Sequence, residues 1–241
     1  MTRLIVLVKN EFERLNKYNL FSAHFVVLLL WVVLAWFLEE EILLHFMPVV
    51  FLMESVMMTI LLVGATLFYE KKEHTINSIM VSPVTENEYL LAKVLVNAGN
   101  ALITVFFISA AVYLIKSVTY NYLLLLPAVL LVTITHTLLG IRLAYDAKDF
   151  TSLLINFMVY AFLFLLPSVF AAFGLISSKI ARYFVILPPE ASSILINAAF
   201  TKPELWKLLF SYAYLSILSV LLFQYVVKPK FNEYLMKETG V

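Results

Sequence analysis

The sequence predicts an all-α integral membrane protein with six transmembrane helices. Apolar residues make up 63% of the chain and charged residues 14%, whereas about a quarter of a soluble domain is charged. A transmembrane helix needs about 20 mostly apolar residues, and six stretches reach that length: 20–38, 43–68, 94–115, 123–141, 153–176 and 206–227. The segments between them are short. We therefore expect residues 1–241 to form a single transmembrane domain.

The composition argues against several functional classes. Cysteine is absent, which excludes a disulfide framework, thiol catalysis and a thiolate metal site. The five glycines cannot form a GxxxxGK[ST] phosphate-binding loop. With 17 basic and 16 acidic residues, the chain lacks the charge excess of a nucleic-acid binder. We predict no catalytic residue, metal or cofactor in this chain. An intramembrane enzyme and a membrane anchor or assembly factor that does not transport are alternatives.

Residues 2–17 form a predicted amphipathic helix at the membrane surface. Its apolar face carries Leu4, Ile5, Val8, Phe12 and Leu15, and its polar face carries Lys9, Asn10, Glu13, Arg14 and Lys17. Such a helix lies in the plane of the lipid headgroups. A cleaved signal peptide does not fit, because the next apolar run is long and ends in acidic residues.

The distribution of basic residues predicts the orientation in the cell membrane. Six spans place both termini on one side, and basic residues favour the cytoplasmic side. With the termini inside, five basic residues lie outside (Lys116, Lys179, Arg182, Lys202 and Lys207) and twelve lie inside (Arg3, Lys9, Arg14, Lys17, Lys71, Lys72, Lys93, Arg142, Lys148, Lys228, Lys230 and Lys237). We therefore expect both termini in the cytoplasm.

The longest polar segment, residues 70–93, then lies in the cytoplasm and is predicted to contain a short helix. Ile76, Ile79 and Met80 recur at helical spacing and form one apolar face. Pro83 should end this helix, because proline disfavours the helical conformation of the preceding residue. An ordered helix with an apolar face indicates a docking surface for another protein. A solvated connector between two spans is the alternative.

A second helix should start directly after Pro83. Thr85 and Glu88 have the spacing of a capping box, in which each side chain binds the other residue's backbone amide. At the other face of the membrane, residues 177–205 are apolar but interrupted by Pro188 and Pro189. We expect them to form short helices that re-enter the outer leaflet, with the prolines as a break and a short helix over 192–197.

The cytoplasmic segment resembles that of the ABC-2 type transporter permeases, the membrane subunits of many bacterial and archaeal exporters. The similarity lies in Glu70, in the run Thr75–Thr85 and in the run Glu88–Lys93. The Pro188-Pro189 element, the amphipathic N-terminal helix and the six spans also fit this family. The resemblance therefore covers nearly the whole chain, although much of it is topology that many transporters share.

The resemblance implies a permease subunit of an ATP-driven exporter. Two permease subunits, a second copy or a sibling, would sit on separate ABC ATPase subunits, which would bind ATP and Mg²⁺. The cargo would be an amphiphile: a drug, lipid, peptide or natural product. The helix over 75–81 would be the coupling helix. The implied coupling interface comprises Glu70, Glu73, Thr75, Ile76, Ser78, Ile79, Met80, Ser82 and Pro83.

Glu54 is the strongest candidate for a substrate pathway. It lies in the middle of the second span, where an ionisable group costs about 2.5–3.5 kcal/mol. Met57 and Met58 lie near it, and methionine suits varied apolar ligands. The alternative is a structural glutamate, hydrogen-bonded to another span. Depth suggests His136 and Thr133 as its partners.

The remaining pathway candidates lie on the fourth and fifth spans. His136 shares a face with small residues that favour close helix packing, so a helix contact is the alternative to a ligand contact. Asn156 and Tyr160 share a face of the fifth span, where core packing is the alternative. A metal site at a lone histidine is not expected.

Overall fold

The fold is a bundle of α-helices, as predicted. We describe it from a computed structural model that covers residues 2–75, 78 and 81–239. In this part of the chain, six helical stretches are long and apolar enough to cross a membrane: Leu20–Phe37, Glu40–Lys72, Glu86–Lys116, Tyr122–Tyr145, Phe150–Ala171 and Leu205–Phe231. They overlap the six predicted spans, and several helices extend beyond the apolar runs. The chain is a multi-pass membrane protein.

The helices are labelled in chain order. They are α1 (Thr2–Lys17), α2 (Leu20–Phe37), α3 (Glu40–Met53), α4 (Thr59–Lys72), α5 (Glu86–Lys116), α6 (Tyr122–Tyr145), α7 (Phe150–Tyr160), α8 (Leu166–Ala172), α9 (Ser178–Ala181), α10 (Pro188–Asn197), α11 (Leu205–Leu221) and α12 (Lys228–Thr239). Three π-helical turns join consecutive helices: Glu54–Met58 joins α3 to α4, Ala161–Leu165 joins α7 to α8, and Leu222–Val227 joins α11 to α12.

Helix α6 is the centre of the bundle and packs against α4, α5, α10 and α11. Its Thr133 and Thr137 are fully buried. Gly140 allows α4 to approach closely, because a Cβ there would lie 2.6 Å from Val63 Cγ1 and 3.1 Å from the Ile60 Cα. The small residues of the fourth span therefore support close helix packing, as expected. Helices α2, α7 and α11 expose much of their apolar surface.

Helix α1 packs beside the end of α4 and the start of α5. Leu15 is buried with Leu62 and Val96, and Val8 and Phe12 pack beside them. The predicted apolar face therefore meets protein over part of its length. One residue of the predicted polar face does not face solvent: Arg14 points into the protein and is only partly exposed.

The predicted capping box is present in residues 70–93. The Glu88 amide donates to the Thr85 hydroxyl (3.3 Å), and Glu88 Oε2 accepts from the Thr85 amide (2.9 Å). Thr75 and Ser78 are helical. Ile76, Ile79 and Met80, the predicted docking face, lie outside the described residues.

The segment predicted to re-enter the outer leaflet contains α9, a 3₁₀ turn over Arg182–Ile186, and α10. The break predicted at Pro188 and Pro189 lies directly before them, at the extended residue Leu187. The short helix predicted over 192–197 starts earlier, because the two prolines are the first two residues of α10, where a helix needs no backbone amide donor. Ala191, Leu195 and Ile196 are fully buried against neighbouring helices, so this short helix is covered by protein.

Candidate functional site: two buried charge clusters

The first cluster lies where α1 meets the end of α4 and the start of α5. We call it the cytoplasmic cluster, after the side on which the sequence predicts it, and define it as Glu11, Arg14, Glu70, Tyr89 and Lys93. Lys93 Nζ donates to Glu70 Oε1 (2.9 Å) and to Glu11 Oε1 (3.0 Å). Arg14 donates to Glu11 (2.8 Å) and also to Glu70. Tyr89 donates its hydroxyl to Glu70 Oε2.

The cytoplasmic cluster combines two carboxyl groups with two cations inside the protein. Glu70 is 0% exposed and Lys93 is 1% exposed, so neither charge is solvated by water. An unpaired charge there would be costly, whereas a paired and hydrogen-bonded one is tolerated. Burial raises the pKa of Glu11 from 4.5 to about 7, with Lys93 lowering it and Glu70 raising it further. Glu11 is the member of the cluster that is least well compensated as an anion.

Three further contacts fasten α1 to the cytoplasmic segment. Arg3 donates to the Pro83 carbonyl (2.9 Å) at one end of α1. At the other end, Lys17 donates to Glu73 (2.7 Å), and the next residue, Tyr18, stacks on Tyr69 with ring centroids 4.1 Å apart. Together with the cytoplasmic cluster, these contacts join α1, α4, α5 and the segment between them.

The predicted coupling residues are not equivalent in the structure. Glu70 is completely buried, so its carboxylate binds residues of its own chain and is not presented at the surface. Glu73, Ser78 and Pro83 are exposed, and Thr75 and Ser82 are half-buried. Beside them, Val81 is 88% exposed. An apolar side chain this exposed on a polar segment is the kind of feature that marks an interaction surface.

The second cluster surrounds Glu54 inside the bundle. We call it the intramembrane cluster and define it as His24, Trp31, Glu54 and Asn100. Trp31 Nε1 donates to Glu54 Oε1 (2.6 Å), and His24 Nε2 lies 2.7 Å from Glu54 Oε2. Asn100 Nδ2 lies 3.3 Å from His24 Nδ1. Glu54 begins a π-helical turn, a feature that is frequent at functional sites.

The prediction of which residues pair with Glu54 is wrong. The sequence suggested His136 and Thr133, but Glu54 binds His24 and Trp31 of α2. Hydrogen bonds to a charged group contribute about 1.5–3 kcal/mol each, so two of them can offset the insertion cost of about 2.5–3.5 kcal/mol. A signal was present in the sequence, because residues 24 and 31 are seven apart and therefore share one face of a helix.

The other pathway candidates form no common site with Glu54. His136 Nδ1 is bonded to the Val132 carbonyl (2.8 Å), and Asn156 donates to the Leu143 carbonyl (3.1 Å). Tyr160 packs edge-on against His136, with ring centroids 6.1 Å apart. Within the described residues, His136 Nε2 and the Tyr160 hydroxyl have no hydrogen-bond partner. Met57, by contrast, packs against the main apolar core.

Neither cluster has the composition of a metal centre. In the described part of the chain, no group of three or more His, Asp or Glu side chains is arranged to hold a metal ion. The chemistry available at both clusters is charge pairing and hydrogen bonding.

We expect Glu70→Gln to destabilise the protein strongly, because it leaves Lys93 and Arg14 with too little negative charge. Removing one partner of a buried ion pair costs about 3–5 kcal/mol. Glu73→Gln is the matched control, because Glu73 is exposed and its ion pair with Lys17 is open to solvent. Thermal unfolding in detergent should show a large drop for the first variant and little change for the second. Equal stability of the two would contradict the role of the cytoplasmic cluster.

Glu11 predicts a pH dependence of stability. Between pH 4.5 and about 7, native Glu11 keeps a proton that the unfolded chain releases, so raising the pH across this range destabilises the native state. Wild-type protein should therefore lose thermal stability relative to Glu11→Gln across this range. The control is Glu13→Gln on the exposed side of α1, whose stability difference from wild type should not follow this trend. A constant difference between wild type and Glu11→Gln would refute the prediction.

Comparisons with known proteins agree with a transport role. The chain is 25% identical over 181 residues to the Fluoroquinolones export permease protein of two Mycobacterium tuberculosis strains, CDC 1551 and H37Rv. The match covers 74% of this chain and 73% of each relative. No protein-family model matches the chain, and no solved structure matches it. With six apolar helices, this similarity supports a multi-pass transport permease.

Proposed function

We propose that this protein is the membrane subunit of an ATP-driven exporter, and that separate ATPase subunits dock on its cytoplasmic segment, residues 70–93. The observation that supports this most is the way the segment is built into the bundle. It is joined to α1 at both ends of that helix and to α4 and α5 through the cytoplasmic cluster. A force applied to its exposed surface would therefore reach the transmembrane helices.

The energy source in this proposal lies outside the chain. The sequence contains no phosphate-binding loop, so ATP and Mg²⁺ would be bound by the partner subunits. Closure of the ATPase pair would press on the segment around Thr75, Ser78 and Val81. The cytoplasmic cluster would pass that movement to α1, α4 and α5 as a rigid-body shift, which is one established route to a conformational switch.

The proposed cargo is an amphiphile that leaves the cytoplasm or the inner leaflet. The relatives are named for fluoroquinolone export, and such an activity in this chain is part of the proposal. Helices α2, α7 and α11 expose broad apolar faces, which would contact lipid and a second permease subunit. The second subunit would be another copy or a sibling.

The proposal requires the cytoplasmic segment and the two termini to face the cytoplasm of the cell membrane. The chain has no cysteine, so single cysteines can be introduced at the exposed positions Glu40, Ser78 and Lys202. We expect an impermeant maleimide to label the cysteines at positions 40 and 202 on intact cells. The cysteine at position 78 should be labelled only after permeabilisation. Labelling of position 78 on intact cells would refute the orientation and the docking proposal with it.

We expect Val81→Asp to release the ATPase, because it places a charge on the most exposed apolar side chain among the described residues of the segment. Ile79→Asp tests the face predicted from sequence. Asn10→Asp is the control, since it adds the same charge to an exposed position of α1. The measurement is whether a P-loop ATPase subunit co-purifies with the tagged permease. If both segment variants retain the ATPase as wild type does, the docking site lies elsewhere.

A further inference from the structure

A groove between α2 and α5 opens on the apolar surface of the bundle. It has a volume of about 510 Å³, within the range of small-molecule sites. Its walls are apolar and partly aromatic, with Phe21, Phe25 and Ile103 among them. Its floor carries the polar side chains His24, Asn100 and Thr104, each of them buried. This combination of an apolar wall and a buried polar floor is unusual on a surface that faces lipid.

The polar floor leads directly to Glu54. His24, Asn100 and Thr104 also line a small internal gap, which Glu54 lines as well. His24 Nε2 lies 2.7 Å from Glu54 Oε2. Two members of the intramembrane cluster, His24 and Asn100, therefore line the groove, and Glu54 is one hydrogen bond away from it.

The polar floor is connected to an acidic side chain. Asn100 Nδ2 lies 3.3 Å from His24 Nδ1, and His24 Nε2 lies 2.7 Å from Glu54 Oε2. The carboxyl group of Glu54 is therefore the source of negative charge available to the groove. Neither the groove nor the internal gap is lined by Lys or Arg among the described residues. A charge in such a low-dielectric setting acts more strongly than it would in water.

We propose that this groove is a binding site for lipophilic cations, in which the positive group lies over His24 and Asn100 and the apolar body lies against Phe21, Phe25 and Ile103. Aromatic walls favour a cation further. A lipid acyl chain could cover the walls but offers nothing to the polar floor. The proposal rests on the proposed function only in treating the cation as cargo, because binding itself requires no ATPase.

The test uses the full chain in nanodiscs without its ATPase. The probe is tetraphenylphosphonium, and its counterpart is tetraphenylborate, which has nearly the same shape and the opposite charge. We expect saturable binding of the phosphonium above that of empty nanodiscs, and no saturable binding of the borate. Equal binding of both ions, or none of the phosphonium, would overturn the proposal.

Two variants locate the site. Ile103→Trp should narrow this groove. Leu102→Trp is the matched control, because Leu102 lines a different groove, between α5 and α6. We expect Ile103→Trp to weaken phosphonium binding by about tenfold or more. A tenfold change corresponds to about 1.4 kcal/mol in binding free energy. Leu102→Trp should bind as wild type. Equal affinities in the two variants would refute the site.

Glu54→Gln tests the source of the charge. The amide keeps hydrogen-bonding capacity but removes the negative charge, so phosphonium affinity should fall while the folded protein, checked by its melting temperature, persists. Unchanged affinity in a folded Glu54→Gln variant contradicts the charge argument. If Ile103→Trp alters the oligomeric mass without altering phosphonium affinity, a second copy occupies the groove and the proposal is wrong. If the wild-type chain binds phosphonium but no ATPase co-purifies with it, the result counts against the proposed function alone.

Discussion

The pairing of buried charges where α1 meets α4 and α5 is the constraint on which the rest of the structure depends. Glu70 on α4 and Lys93 on α5 are removed from water, and the amphipathic helix α1 supplies Glu11 and Arg14 to complete the set. A helix held at the membrane surface by its apolar face alone would leave both charged side chains in water. Its position is determined by electrostatics as much as by its apolar face, because an incomplete cluster would leave a charge without compensation.

Much of the fold could be predicted because each prediction used local information. The six spans follow from the length of the apolar runs, and the capping box follows from Thr85 and Glu88 alone. Arg14 was placed on the wrong side because periodicity treats any charged residue as facing solvent, whereas a buried partner can reverse that preference. The effect of Pro188 and Pro189 depended on whether a helix ended or began there, and proline is compatible with both.

The candidate sites were harder to predict, since they depend on contacts between distant segments. The cost of burial identified Glu54 as a residue that needed partners, but depth along a helix gave no unique choice among the other spans. His24 and Trp31 meet Glu54 because α2 packs beside the π-helical turn, and that packing is a property of the whole bundle. The same limit applies to Glu70, whose likeness to an interface residue in sequence gave no sign that its carboxylate is buried.

The close contact at Gly140 restricts how α6 can move relative to α4. Val63 and the backbone of Ile60 occupy the space that a side chain at position 140 would need. Sliding α6 along α4 by one helical turn would bring Thr137 or Ala144, which both carry a Cβ, into that space, so the two helices are interlocked in a single register. In the proposed transport cycle, movement that reaches α4 through the cytoplasmic cluster would therefore carry α6 with it. The less buried helices α2, α7 and α11 would then shift relative to this pair to open a path for cargo.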